Sequence, residues 1–211
     1  WQRLYLERAV GLLGVTFSRA RVNQQVKGLV RGGVVPAPGI DIDAAIAAGA
    51  VIYKEKSSES ETTVKYDLTA SAPGFDKVQA GGSVKVFGLN YLVQTLLGSD
   101  VPFSPVPDVN PLDLRRTFRA YQNSGYFQST RNLTRRLNLT WGGRVDHYQY
   151  LGQTRFSPRA GLSYRLTDKL SWRASYGQYF QQPFFLFLSS FPQNRGLLPW
   201  RAAHYITGFS Y

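Results

Sequence analysis

The sequence predicts an all-β fold: an antiparallel up-and-down transmembrane β-barrel, here a partial barrel of about nine strands. Three observations carry that prediction. Long runs alternate apolar and polar residues with period two. The connections between runs alternate short and long. No apolar run approaches the ~20 residues that a membrane helix needs.

The alternation is clearest in the second half. Leu137, Leu139, Trp141, Gly143 and Val145 oppose Asn138, Thr140, Gly142, Arg144 and Asp146. Phe156, Pro158, Ala160, Leu162 and Tyr164 oppose Ser157, Arg159, Gly161, Ser163 and Arg165. Leu170, Trp172, Ala174 and Tyr176 oppose Ser171, Arg173, Ser175 and Gly177, and upstream Val64, Tyr66, Leu68 and Ala70 oppose Thr63, Lys65, Asp67 and Thr69. Successive strand side chains point to opposite faces, so each run has one apolar and one polar face. Strands are expected at 9–20, 25–33, 62–72, 77–90, 115–129, 135–150, 155–166, 170–182 and 199–211. Several exceed the ~5–6 residues usual in soluble sheets and suit the ~9–11 of a tilted membrane strand.

Short connections are expected at 21–24, 73–76, 130–134 and 167–169, and the alternate ones at 34–61, 91–114, 151–154 and 183–198. Short turns at one end and mostly long loops at the other is the asymmetry of outer-membrane barrels. Within the first long connection, Ala44–Ala48 could form a short helix capped by Asp41 or Asp43, and Lys54–Glu61 reads as a polar loop. The hairpins through Asn23-Gln24 and Pro73-Gly74 look related. No linker divides the chain, so residues 1–211 read as a single segment.

Composition agrees. The chain of 211 residues carries 13 Tyr, 13 Phe and 4 Trp, with only 18 % charged residues and a net charge of +12. Such a balance favours anionic partners, but the basic residues recur singly inside alternating runs, so nucleic acid is not an expected partner. Absence of cysteine excludes disulfides and thiolate metal sites. Absence of methionine, even at position 1, suggests a processed chain or a segment, and the opening residues do not form a signal peptide.

From residue 116 onward the text resembles TonB-dependent outer-membrane receptors. Asn132–Tyr148 is similar to a turn and barrel strand of that family. Arg155–Leu170 matches the next hairpin still better, Ser171–Pro183 continues it, and Leu198–Phe209 looks like the strand after the following loop. Trp200 departs from the pattern, which is often acidic there. The resemblance implies a large antiparallel barrel in the bacterial outer membrane, with an N-terminal plug that lies outside this chain. It implies a TonB complex acting through that plug, contact with outer-membrane lipid and lipopolysaccharide, and uptake of a scarce nutrient such as a siderophore, corrinoid or glycan.

Catalysis is not expected. Asp146 and His147 are strand neighbours on opposite faces, so they cannot form a nucleophilic relay without a refolded strand. Two distant histidines without cysteines make a poor metal site, and neither a metal nor another cofactor is implied. Arg144, Asp146, Arg159, Arg165 and Arg173 share the polar phase of three neighbouring strands. In a barrel they face the lumen, where they either line a ligand path or pair among themselves or with a plug. Tyr148, Tyr150, Tyr176, Tyr179 and Phe180 crowd strand ends, as aromatics of a membrane boundary do. Phe184–Leu188 is apolar and needs cover, from a folded-in loop or a ligand. The competing reading is a soluble basic β-domain that grips polyanions through arginines and aromatics.

Overall fold

The computed structural model describes residues 2–5, 9–27, 51–72, 74–95 and 113–211. They form one nine-stranded antiparallel sheet in which every strand pairs with its neighbour in sequence. The strands are β1 (Gln2–Tyr5), β2 (Ala9–Lys27), β3 (Val51–Ala72), β4 (Phe75–Thr95), β5 (Asp113–Asn132), β6 (Leu137–Tyr148), β7 (Gln153–Arg165), β8 (Ser171–Gln181) and β9 (Trp200–Ser210). Among the described residues β1 and β9 do not pair, so the sheet is an open wall rather than a closed barrel.

The total of nine matches expectation, but the strands are not the same nine. The expected turn at 21–24 does not exist: Arg21, Val22, Asn23 and Gln24 pair with Ser58, Ser57, Lys56 and Glu55 in an unbroken ladder. Asn23-Gln24 lacks the glycine that a two-residue hairpin turn requires, and without it β2 runs on through Lys27. The likeness of two hairpins falls with that turn. The expected loop at 54–61 is also strand, part of the 22-residue β3. Likewise β4 and β5 take up residues 91–95 and 113–114. The helix expected at 44–48 and the rest of the 25–33 strand lie outside the described residues.

The ends of the sheet sort as the connection lengths predict. Around Gly74, at 133–136 and at 166–170 the chain turns at one end, whereas 28–50, 96–112 and 182–199 connect strands at the other. Gly74 has φ +80°, a left-handed conformation that glycine adopts without a Cβ penalty. At two turns a threonine hydroxyl, Thr134 or Thr167, accepts the backbone N–H of Leu137 or Leu170 at 3.0 Å. Leu170 is thus a turn residue rather than the first residue of β8.

Register fixes facing, because paired residues share a side of the sheet. Leu137, Leu139 and Trp141 share one face with Tyr164, Leu162 and Ala160, and Tyr164 and Ala160 in turn with Trp172 and Tyr176. Arg144, Arg159 and Arg173 lie on the other. On β9, Tyr205 and Phe209 join the apolar face opposite Tyr176 and Trp172, and Ile206 takes the polar side. The apolar face is left bare: Phe17 is 68 % exposed, Phe156 58 % and Tyr205 79 %. We call this face outward and the ion-bearing face inward.

On β2–β5 the outward apolar band has an edge. Ala9–Phe17, Thr62–Ala70, Val78–Val86 and Tyr121–Ser129 pair across the four strands. Each stretch is nine residues long, the length of a tilted membrane strand. Phe17, Thr62, Val86 and Tyr121 form one cross-strand row. Beyond it the hydropathy phase inverts while the ladder continues. Outward positions become Arg19, Ser60, Gly88 and Arg119; inward positions become apolar, as in Phe87, Leu89, Tyr91 and Val93 on β4.

The core sits beyond that row, on the inward side. Leu89, Tyr91, Val93, Leu114 and Ala120 are buried there with Phe185 and Leu188. The latter two come from a one-turn helix, α1 (Phe185–Ser190), in the connection between β8 and β9. The expected need to cover Phe184–Leu188 is met by a folded-in loop: Leu188 is fully buried, and only Phe184 stays 58 % exposed.

Candidate functional site: the inward face

All five sequence-predicted site residues, Arg144, Asp146, Arg159, Arg165 and Arg173, lie on the inward face by register. Two of them meet directly. Arg144 Nε donates to both Asp146 carboxylate oxygens at 3.0 and 2.9 Å, and a terminal guanidinium nitrogen donates at 2.8 Å. Asp146 is only 4 % exposed and also accepts from Gln122 at 3.2 Å. A planar fork meeting a carboxylate is the strongest arrangement available to such a pair. Among the described residues Arg159, Arg165 and Arg173 make no ion pair, and Arg165 and Arg173 are exposed.

The pairing extends along the inward face, and the sequence reading missed these members. Tyr126, cross-strand from Arg144, donates its hydroxyl to Asp67 at 2.7 Å, and Lys65 pairs with the same carboxylate at 2.7 Å. Gly81 stands between Asp67 and Tyr126 in the ladder. A Cβ there would come within 2.7 Å of the Tyr126 ring and 2.8 Å of the Asp67 carboxylate, so glycine lets the ring lie across β4. Lys85 pairs with Glu61 at 2.8 Å. Three of the four ion pairs among the described residues are therefore inward, where a wet lumen tolerates charge and lipid would not.

The external part of the face has a different chemistry. Tyr53 donates to Glu55 at 2.7 Å, and Tyr91 donates to Glu59. Burial first, then those carboxylates, push both phenols above their ordinary range. Glu55, Glu59 and Tyr91 line a cleft with Phe184 and Phe187 on one side of α1. A second cleft is cationic and lies over the edge of β5 beyond its ladder with β6, where the outward Arg115 and Arg119 meet the inward Arg116 with Arg195 and Tyr150. The Arg195 guanidinium lies 5.5 Å from the Tyr150 ring centroid, within cation–π range.

The aromatics expected at a membrane boundary divide. Tyr148 is 2 % exposed and inward, and its hydroxyl donates to the Phe180 carbonyl at 3.1 Å. Tyr150 packs against Phe118 and Phe185 at 5.2 and 5.8 Å. Neither sits in a boundary girdle: Tyr148 points inward opposite Gln122, and Tyr150 packs under α1. Tyr176 does face outward, 5.0 Å from Tyr205, while Tyr179 is inward and lies on Gly177. No helix is long and apolar enough to cross a membrane, and no group of metal-ligating side chains gathers, among the described residues.

Comparison with known proteins agrees with this geometry. A family model described as TonB dependent receptor-like, beta-barrel, matches residues 14–211. Among solved structures, the ferripyoverdine receptor of the outer membrane of Pseudomonas aeruginosa is 18 % identical with a TM-score of 0.66, covering 99 % of this chain and 29 % of that one. A complex of FpvAI with pyocin S2 gives 19 % and 0.67, covering 99 % and 28 %. The ferric enterobactin receptor of P. aeruginosa gives 15 % and 0.59, covering 85 % and 24 %. The chain thus spans under a third of the length of these structures. No curated protein matches the chain.

Proposed function

Because the chain belongs to the TonB-dependent receptor β-barrel family, we propose that it is one wall segment of an outer-membrane receptor that takes up a scarce nutrient. Energy reaches such a receptor from the TonB complex through a plug, which this segment surrounds in part. Arg159, Arg165 and Arg173 offer guanidiniums to an anionic ligand or to plug carboxylates, while the Arg144–Asp146 pair serves chiefly to hold the wall. The cationic and acidic clefts beside α1 are the first contacts at the external mouth. Ferric chelates are the first ligand class to test, since the similar structures are receptors for ferripyoverdine and ferric enterobactin. Lipid and lipopolysaccharide surround the outward face. Catalysis forms no part of this reading.

The observation that carries it is the sorting of the two faces: a bare apolar outward band nine residues tall over an ion-paired inward face. A soluble polyanion-binding domain would bury its apolar face and expose its charges. The test is made in a full receptor containing this segment. Val15→Arg places a cation inside the outward band, and Thr16→Arg places it one residue away on the inward face. The expected cost of the first is about 2–4 kcal/mol if it meets hydrocarbon, and of the second far less. Denaturant titration in lipid vesicles reads both. Equal costs, or a receptor that stays folded and monomeric in plain buffer, would remove the membrane reading.

A further inference from the structure

The acidic cleft beside α1 holds charge that the fold does not balance. On β3 beyond the boundary row the charges sort by sign: Lys54 and Lys56 point outward, Glu55, Glu59 and Glu61 inward. Glu61 is taken by Lys85. Glu55 and Glu59 make no ion pair among the described residues; each accepts from a phenol, Tyr53 or Tyr91. Those phenols, pushed above their ordinary range, keep their protons and so donate without cancelling charge. Arg116, cross-strand from Tyr91, pairs with neither carboxylate. Glu55 is only 9 % exposed, and a carboxylate so buried is costly without a counter-charge.

A second, independent observation lies between the two carboxylates. Ser57 is 7 % exposed, points inward into the same cleft, and its hydroxyl has no hydrogen-bond partner among the described residues. Buried polar groups are nearly always paired, so this hydroxyl is an acceptor left open for a ligand N–H. The other walls are apolar, with Phe184, Leu186 and Phe187 from the β8–β9 connection facing Val22 of β2. Phe184 stays exposed there, standing edge-on to Phe187 at 5.6 Å. The cleft holds about 320 Å³, within the ~300–1,000 Å³ of small-molecule sites. Carboxylates beside aromatic and aliphatic walls suit a cation on an apolar arm: the head meets oxygen, the methylenes meet Leu186 and Val22, and ring faces attract the charge. A metal ion would want a cage of oxygens, and no group of three metal-ligating acidic or histidine side chains gathers among the described residues.

We propose that this cleft is a subsite for an alkylammonium or alkylguanidinium group of the imported solute. Glu59, exposed at one end, draws the cation in. Glu55 takes the charged head at the buried end, Ser57 accepts one of its N–H groups, and Phe184 and Phe187 flank the arm. The inference rests on the receptor reading above and deepens it by naming the chemistry of one part of the solute.

The test uses a full receptor containing this segment, in zwitterionic detergent, titrated with n-butylammonium, n-butylguanidinium and neutral n-butanol and read by saturation-transfer NMR. The two cations should compete for one site, and n-butanol should bind at least roughly tenfold more weakly, the strength of one charge-assisted hydrogen bond. Glu55→Gln keeps the shape, removes the charge and should weaken both cations by roughly tenfold. Glu59→Gln, at the exposed end, should weaken them by about threefold. Removing the neighbouring ion pair whole, with Lys85→Gln and Glu61→Gln, should leave them within about twofold. Butanol that binds the unmodified receptor as tightly as butylammonium would overturn the subsite without need of any variant. So would Glu55→Gln binding like the parent, or displacement of butylammonium by calcium at equal concentration. A ferric trihydroxamate with a free terminal amine and its N-acetylated counterpart separate two sources of the cation. Displacement of butylammonium by the amine chelate alone assigns the subsite to an arm of an iron chelate, and displacement by neither assigns it to a free amine. Equal displacement by both would show that the cleft does not read the amine, and the proposal fails. A receptor that needs detergent but shows no preference for the cations loses only this inference, whereas one folded in plain buffer loses the membrane reading itself.

Discussion

Strands β2–β5 run for 19, 22, 21 and 20 residues, whereas β6–β9 run for 12, 13, 11 and 11. The short set is little more than a membrane crossing. The long set crosses and then rises above the crossing as a wall with water on its outside. The step falls between β5 and β6: the ladder with β6 ends at Gln122–Tyr148, and β5 continues to Asp113 paired only with β4. The two sets obey opposite rules. Where lipid is outside, apolar residues point out and charges point in. Where water is outside, Leu89, Tyr91 and Val93 point in, and α1 folds over them. Solvent, not strand geometry, decides which face is apolar.

The largest expected effect tests whether α1 holds the tall wall together. Leu188→Ala removes a fully buried side chain and should cost about 2–5 kcal/mol. Hydrogen exchange should speed up at 185–190 and 89–93 while β6–β8 stay protected. Unchanged exchange at 89–93 would mean that the loop merely rests on the wall.

Next comes a contrast within one strand and one face. Val64 lies inside the outward band between Val15 and Val84, and Ser58 lies on the same face beyond the boundary row. Val64→Arg should cost about 2–4 kcal/mol in lipid vesicles. Ser58→Arg, by contrast, should cost at most about 1 kcal/mol, from the like charge of Arg21 opposite it. Equal penalties would erase the boundary.

The smallest effect concerns the short set. Asp146→Asn keeps the shape but removes the charge that Arg144 grips. Loss of charge-assisted bonds at this part-buried pair should cost about 1–3 kcal/mol. Recovery in Arg144→Gln with Asp146→Asn, read as a coupling energy in a double-mutant cycle, would locate the loss in the pair itself.

The same contrast explains what could be read in advance. The crossing strands were legible because one face meets hydrocarbon and the other water, so hydropathy alternates. Lys54–Glu61 looked like a loop because both its faces are polar; what alternates there is the sign of charge, which a hydropathy reading cannot see. On β4, Val86 and Phe87 are adjacent and both apolar because the phase inverts between them, a pattern that mimics a slip in register. Of the candidate site, the shared inward phase of Arg144, Asp146, Arg159, Arg165 and Arg173 was visible. The Asp67–Tyr126 contact was not, since it spans 59 residues of sequence and depends on the missing side chain of Gly81. The burial of Tyr150 is not legible locally, because its cover, Phe185, comes from a loop 35 residues downstream.

The inverted phase also fixes immersion depth. Were the wall to sink by one outward position, Arg19 and Arg119 would enter hydrocarbon together. Were it to rise by one, Phe17 and Tyr121 would be lifted into the headgroups and a fresh row of outward side chains would come up to the lipid edge. Both displacements are opposed by the same four strands, so the structure carries its own draught mark. A receptor so marked would ride at one level in bilayers of differing thickness, and the lipid, being softer, would do the adjusting.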